Sequence, residues 1–127
     1  MKHKNSEELI SPWHDVEIEP SLAGDFHITG VTEITLSTSL KLEATKGIPF
    51  NPVMQDTVLN KNTGKRDHRI YPKPPNFGYG YIPQTWCDDE LGGDGDPIDL
   101  VDLGWKELKP VLSVSDYLVL GIFGLVD

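Results

Sequence analysis

The segment GGDGDPIDLVDLG, residues 92–104, places Asp94, Asp96, Asp99 and Asp102 within nine positions. Two carboxylates about 4 Å apart repel by about 4 kcal/mol at an effective dielectric near 20. Such crowding is sustained by protonation, by solvent or by a cation. A bound divalent metal is the sharpest of these options. Gly95 and Pro97 interrupt any regular strand or helix through the run, so the backbone is expected to wrap and let Asp94, Asp96 and Asp99 converge. Ligation by oxygen alone suits Mg²⁺, Mn²⁺ or Ca²⁺ rather than zinc. An EF-hand loop starting at Asp94 does not fit, because its fifth, sixth and twelfth positions fall on Ile98, Asp99 and Trp105. A solvated acidic loop is the bland reading of the same residues.

The elements that would position this loop read as mostly β. In VTEITLSTSLKLEA, Ile34, Leu36, Leu40, Leu42 and Ala44 alternate with Glu33, Thr35, Ser37, Ser39, Lys41 and Glu43, the pattern of a half-buried strand. One straight strand would hold Glu33 about 33 Å from Glu43. A reversal near Ser37-Thr38-Ser39 would bring them together, so a hairpin is expected here. NKNTGKRDHR is expected to form an exposed loop or hairpin tip. Pro72, Pro74 and Pro75 rule out helix and favour an extended path. YGYIPQTW reads as a strand end entering a loop, and YLVLGIFGLV, residues 117–126, as a buried strand. Helical periodicity is absent; NSEELI supports one turn at most.

A chain of 127 residues fits one domain, residues 1–127, and 38% hydrophobic content is ordinary for a folded chain. The net charge of −9 repels phosphate backbones and argues against nucleic-acid binding. The ten-residue apolar run is too short to span a bilayer, and the first residues show no secretion signal. The single cysteine, Cys87, forms no internal disulfide, which fits a reducing, cytoplasmic setting.

GDGDPID resembles the Asp-x-Asp-Pro-x-Asp signature of soluble family I inorganic pyrophosphatases. PWHD, KLEATK, NPVMQDT, YIPQTW and LGIFGLVD recur in similar form and order in the eukaryotic type, so the resemblance covers most of the chain from Pro12 to Asp127. It implies a five-stranded, OB-like β-barrel and Mg²⁺-dependent hydrolysis of pyrophosphate, with several ions bound and Mn²⁺ as an alternative.

By the same resemblance, Asp94, Asp99 and Asp127 match metal ligands, and Asp96 matches the acid that takes a proton from the attacking water. Glu43 matches a residue near an additional metal, Lys41 a phosphate contact, and Glu33 a further pocket residue. Arg69 and Tyr79 match the phosphate-binding arginine and tyrosine, with Arg66 competing for the arginine's place; Gly78 stands where the family has asparagine.

Full-length members continue past the position of Asp127 with another metal-binding aspartate, further phosphate contacts and more strands. The chain is therefore expected to hold an incomplete barrel, with an open strand edge that invites self-association. A catalytically inactive relative that binds divalent metal or pairs with a full-length subunit fits the same residues, as does an unrelated cation-binding β module.

Overall fold

A computed structural model describes residues 1–3, 6–18, 26–36, 38–104 and 108–124. As the alternation suggests, the architecture is mainly β. Among the described residues there is no α-helix, only a 3-10 turn at Asp89–Leu91, and the strands do not close into a barrel.

A four-stranded antiparallel sheet carries the core. Its central strand β1, His27–Ile34, is rich in β-branched residues and lies between β6, Gly78–Tyr81, and β8, Val114–Leu118. Strand β7, Asp99–Asp102, pairs with the far side of β6, so the order is β7-β6-β1-β8 and the sheet's edges are β7 and β8. Two hairpins stand beside this sheet: β2, Leu42–Ala44, pairs with β3, Val53–Gln55, and β4, Thr57–Leu59, with β5, Arg66–His68. The turn between β4 and β5 is the exposed tip expected from its polar, basic composition.

Trp13, Val16, Val31, Ala44 and Tyr81 form the buried cluster. The segment around Trp13 reaches it because Ser11 Oγ caps a tight turn, accepting from Trp13 N and His14 N at 3.2 and 3.0 Å. Trp13 Nε1 then donates to the Thr85 carbonyl at 2.9 Å and Gln84 N to the Trp13 carbonyl at 2.7 Å.

Three expectations are corrected. Strands β1 and β2 do not pair with each other; β2 takes β3 as its partner, although Thr38 N does donate to the Thr35 carbonyl in a reversal whose Ser37 lies outside the described residues. The alternation also fails at Glu33. The β1–β6 register runs Thr32↔Gly80 and then Ile34↔Tyr79, so Glu33 is the extra residue of a bulge, and both Glu33 and Ile34 are buried. Finally, the apolar run from Tyr117 is strand only as far as Leu118. Val119 N donates to the Phe26 carbonyl, where β1 has not yet begun, and beyond it Leu120, Ile122 and Phe123 are exposed. Leu125 and Val126 lie outside the described residues.

Candidate active site

Among the described residues, the expected ones lie in the strands or in the loops beside them. Lys41 precedes β2 and Glu43 lies within it; Arg69 follows β5; Tyr79 is in β6; Asp99 opens β7. Asp94 and Asp96 occupy the loop before β7. That loop folds over Cys87, with Gly95 N donating to the Cys87 carbonyl and Cys87 N to the Asp96 carbonyl, both at 2.8 Å. Gly95 has φ +70°, and a Cβ on Gly93 would lie 2.5 Å from the Cys87 carbonyl, so the wrap depends on both glycines.

The cationic side chains gather on a residue that sequence reasoning missed. Lys41 Nζ lies 2.7 Å from Glu43 Oε2 and 3.0 Å from Asp56 Oδ2, and Arg69 Nη1 lies 2.7 Å from the same Asp56 oxygen. Their backbones close a ring: Asp56 N donates to the Lys41 carbonyl, Arg69 N to the Asp56 carbonyl and Lys41 N to the Arg69 carbonyl, at 2.8, 2.9 and 3.2 Å. Burial would raise the Asp56 carboxyl, but the Lys41 and Arg69 hydrogen bonds outweigh it and hold the group below its usual range. Burial would likewise lower Lys41, and bonds to Glu43 and Asp56 raise it instead. The only sequence signal for Asp56 is an acid in the QDT block just before a basic hairpin. Arg66 is not part of this group; its guanidinium bonds to Thr57.

The acidic side chains share a second neighbourhood. The Glu33 carboxylate accepts from Ala44 N at 2.5 Å. Its pKa is pushed up to about 7 by burial, against that hydrogen bond, with further pushes from Asp99, Glu43 and Asp96. Burial and a hydrogen bond with Asp99 raise the Tyr79 phenol. Burial pushes the Cys87 thiol up too, and Asp94, Asp99 and Asp96 push it further. Glu43 belongs to both groups, since it bonds Lys41 and bears on Glu33.

The expected nest of Asp94, Asp96 and Asp99 is not closed. Among the described residues no three carboxylate, imidazole or thiol groups are arranged to hold a metal. Asp94 Oδ1 turns back to accept from Asp96 N at 3.1 Å, Asp96 Oδ1 lies 2.8 Å from Lys46 Nζ, and Asp99 engages Tyr79. Each carboxylate thus has its own donor. Asp127 lies outside the described residues.

The model for the family Inorganic pyrophosphatase matches residues 30–127. The chain belongs to this family. Across its full length it is similar to soluble inorganic pyrophosphatase 1, chloroplastic, of Chlamydomonas reinhardtii, at 37% identity and covering 44% of that protein. It is also similar to a crystal structure of type I inorganic pyrophosphatase from Toxoplasma gondii, with a TM-score of 0.69 and 36% identity over 88% of this chain and 50% of that one. A crystal structure of the N-terminal domain truncated Trypanosoma cruzi vacuolar soluble pyrophosphatase, in complex with PPi, superposes with a TM-score of 0.72 at 34% identity, over 93% of this chain and 48% of that one. The chain thus spans about half the length of the relatives it matches, or less. Family membership does not fix a compartment, one relative being chloroplastic. Among the described residues no helix is long and apolar enough to cross a membrane.

Pyrophosphatases of this family depend on metal ions, and the donor chemistry here fits a hard cation. Asp99, Glu43 and Asp96 each act on Glu33 through space, and the acidic loop already gathers oxygens around the Lys46 ammonium.

Proposed function

We propose that this protein hydrolyses inorganic pyrophosphate to two phosphates in a Mg²⁺-dependent reaction. The observation that carries the reading is the position of Glu43, which bonds Lys41 of the Lys41–Asp56–Arg69 group and bears on Glu33, and so supports reading the two groups as one site. Support also comes from the Trypanosoma cruzi relative in complex with PPi.

In this reading Asp94, Asp99, Glu43 and Asp127 would hold several Mg²⁺ ions, or Mn²⁺, with Glu33 as a further pocket residue. When bound, the metal would lower the pKa of water and neutralise phosphate charge. Asp96 accepts a proton from the attacking water as that oxygen bonds to phosphorus and the bridging P–O bond breaks in line. The departing phosphate keeps the bonding electron pair. Arg69 holds its oxygens through a planar fork, Lys41 through a point charge and Tyr79 through its phenolic O–H. Asp56 keeps the two cations in place rather than touching substrate.

The test is phosphate release from pyrophosphate by this chain with Mg²⁺ and with excess chelator. Release that requires Mg²⁺ supports the reading. No release under either condition counts against hydrolysis by this chain.

A further inference from the structure

Lys46 has no place in the chemistry above, yet its ammonium is the group that meets the acidic loop. It stands at the start of the β2–β3 connection, and that connection is firmly built. Thr45 Oγ1 donates to the Pro52 carbonyl at 2.8 Å, Asn51 Nδ2 to the Thr45 carbonyl at 2.9 Å, and Asn51 N to the Ile48 carbonyl at 3.0 Å. From this base Lys46 Nζ reaches three oxygens of the opposite loop: Asp96 Oδ1 at 2.8 Å, the Gly95 carbonyl at 3.2 Å and the Asp94 carbonyl at 3.4 Å. One carboxylate and two carbonyl oxygens are donors of the kind a hard cation takes.

We propose that Lys46 is a built-in counter-cation of the acidic loop, holding residues 94–96 in place without metal, occupying one oxygen of Asp96, and opposing a divalent ion for the loop's charge. This inference rests on the reading of that loop as a metal site. It makes Lys46 a positioning residue. By taking Oδ1 it keeps Asp96 from becoming a full metal ligand and leaves Oδ2 for the proton of the attacking water.

A plain surface ion pair would contribute little to anything. Both partners are about half exposed, at 55% and 45%, so the effect is expected in metal affinity and local loop order rather than in global stability.

The experiment uses the full chain and two probes. Calorimetric titration with Mn²⁺ compares the parent with Lys46→Met, Lys46→Arg, Asp96→Asn and the Lys46→Met/Asp96→Asn pair. Hydrogen exchange follows the Cys87, Gly95 and Asp96 amides with and without Mg²⁺. Lys46→Met is expected to bind Mn²⁺ at least about fivefold more tightly, the low end of coupling between two sites, and Lys46→Arg to stay within about twofold of the parent, as retained charge requires. In the Asp96→Asn background the gain should shrink below about twofold, as expected for directly coupled residues. Exchange at the three amides should quicken in metal-free Lys46→Met and slow again with Mg²⁺.

Equal Mn²⁺ affinity and equal exchange in parent and Lys46→Met would overturn the proposal. So would a full gain that survives in Asp96→Asn. Absence of Mn²⁺ uptake by every form would remove the metal loop and the competition together. The affinity difference without any phosphate release would support the role of Lys46 and count against the hydrolytic reading alone.

Discussion

Lys41 and Arg69 meet on one oxygen: Asp56 Oδ2 lies 3.0 Å from Lys41 Nζ and 2.7 Å from Arg69 Nη1. Two cations that would repel each other are held side by side by a carboxylate only 14% exposed, and the ring of backbone hydrogen bonds beneath them fixes their spacing. A pair of cations at fixed spacing suits the two adjacent phosphoryl groups of the proposed substrate.

Replacing this carboxylate should therefore disturb binding more than shape. Asp56→Asn is expected to raise the KM for pyrophosphate by about tenfold, through loss of pre-arranged cations, and to destabilise the chain by about 1–3 kcal/mol, since a charged hydrogen-bond acceptor is lost. Steady-state kinetics and urea unfolding check the two parts. Asp56 is held below the usual carboxylate range, so its contribution is present above its unfolded pKa and is lost as pH falls through the folded one.

Glu33 runs the other way. Its folded pKa is raised from 4.5 to about 7, so between these values the folded chain keeps a proton that the unfolded chain has released. Stability from this group is therefore greatest below about pH 4.5 and falls as pH rises towards about 7. Glu33→Gln keeps an acceptor for Ala44 N and removes the buried charge. Urea midpoints at pH 5 and pH 8 should show the variant's advantage over the parent growing by about 1–3 kcal/mol at the higher pH.

Tyr81 is 1% exposed and its Oη finds no partner among the described residues. An unsatisfied buried hydroxyl costs about 1–3 kcal/mol. Tyr81→Phe should thus raise the urea midpoint, by an amount equivalent to about 1 kcal/mol once packing adjustments are included. A lower midpoint would show that the hydroxyl contributes to the fold.

Much of this arrangement is legible in the chain, and the exceptions have physical causes. Acids at 94, 96 and 99 around Gly95 and Pro97 announce a wrapped loop, and the basic tip at residues 60–65 announces its own hairpin. The inward turn of Glu33 is hidden because a bulge adds one residue to a strand without leaving a glycine or proline to mark it. Alternating hydrophobicity does not name a partner strand, so Leu42–Ala44 could be predicted as strand without its pairing to Val53–Gln55. Asp56 and Lys46 act through partners distant along the chain, Arg69 in one case and Asp96 in the other, and apart from the acid of the QDT block no local pattern points to either. The apolar residues at 120–123 meet the strand criteria, but among the described residues the β1–β8 ladder stops at His27↔Leu118.

The loop's path supplies a further prediction. A methyl group on Gly93 would meet the Cys87 carbonyl carbon and oxygen at 2.5 Å. Backbone must shift to admit it, so Gly93→Ala should cost about 1–3 kcal/mol, the range of overpacking, and should weaken Mn²⁺ binding because residues 94–96 move with it. Calorimetry and urea unfolding on the same preparation separate the two effects.

Steady-state phosphate release across a range of pyrophosphate concentrations, at saturating Mg²⁺, tests the joined acid and cation groups most directly. Asp96→Asn should lower kcat by about 10²-fold or more, the usual contribution of a proton acceptor, with KM close to that of the parent. Arg69→Met should chiefly raise KM. Parent-like kcat and KM in both variants would contradict the account.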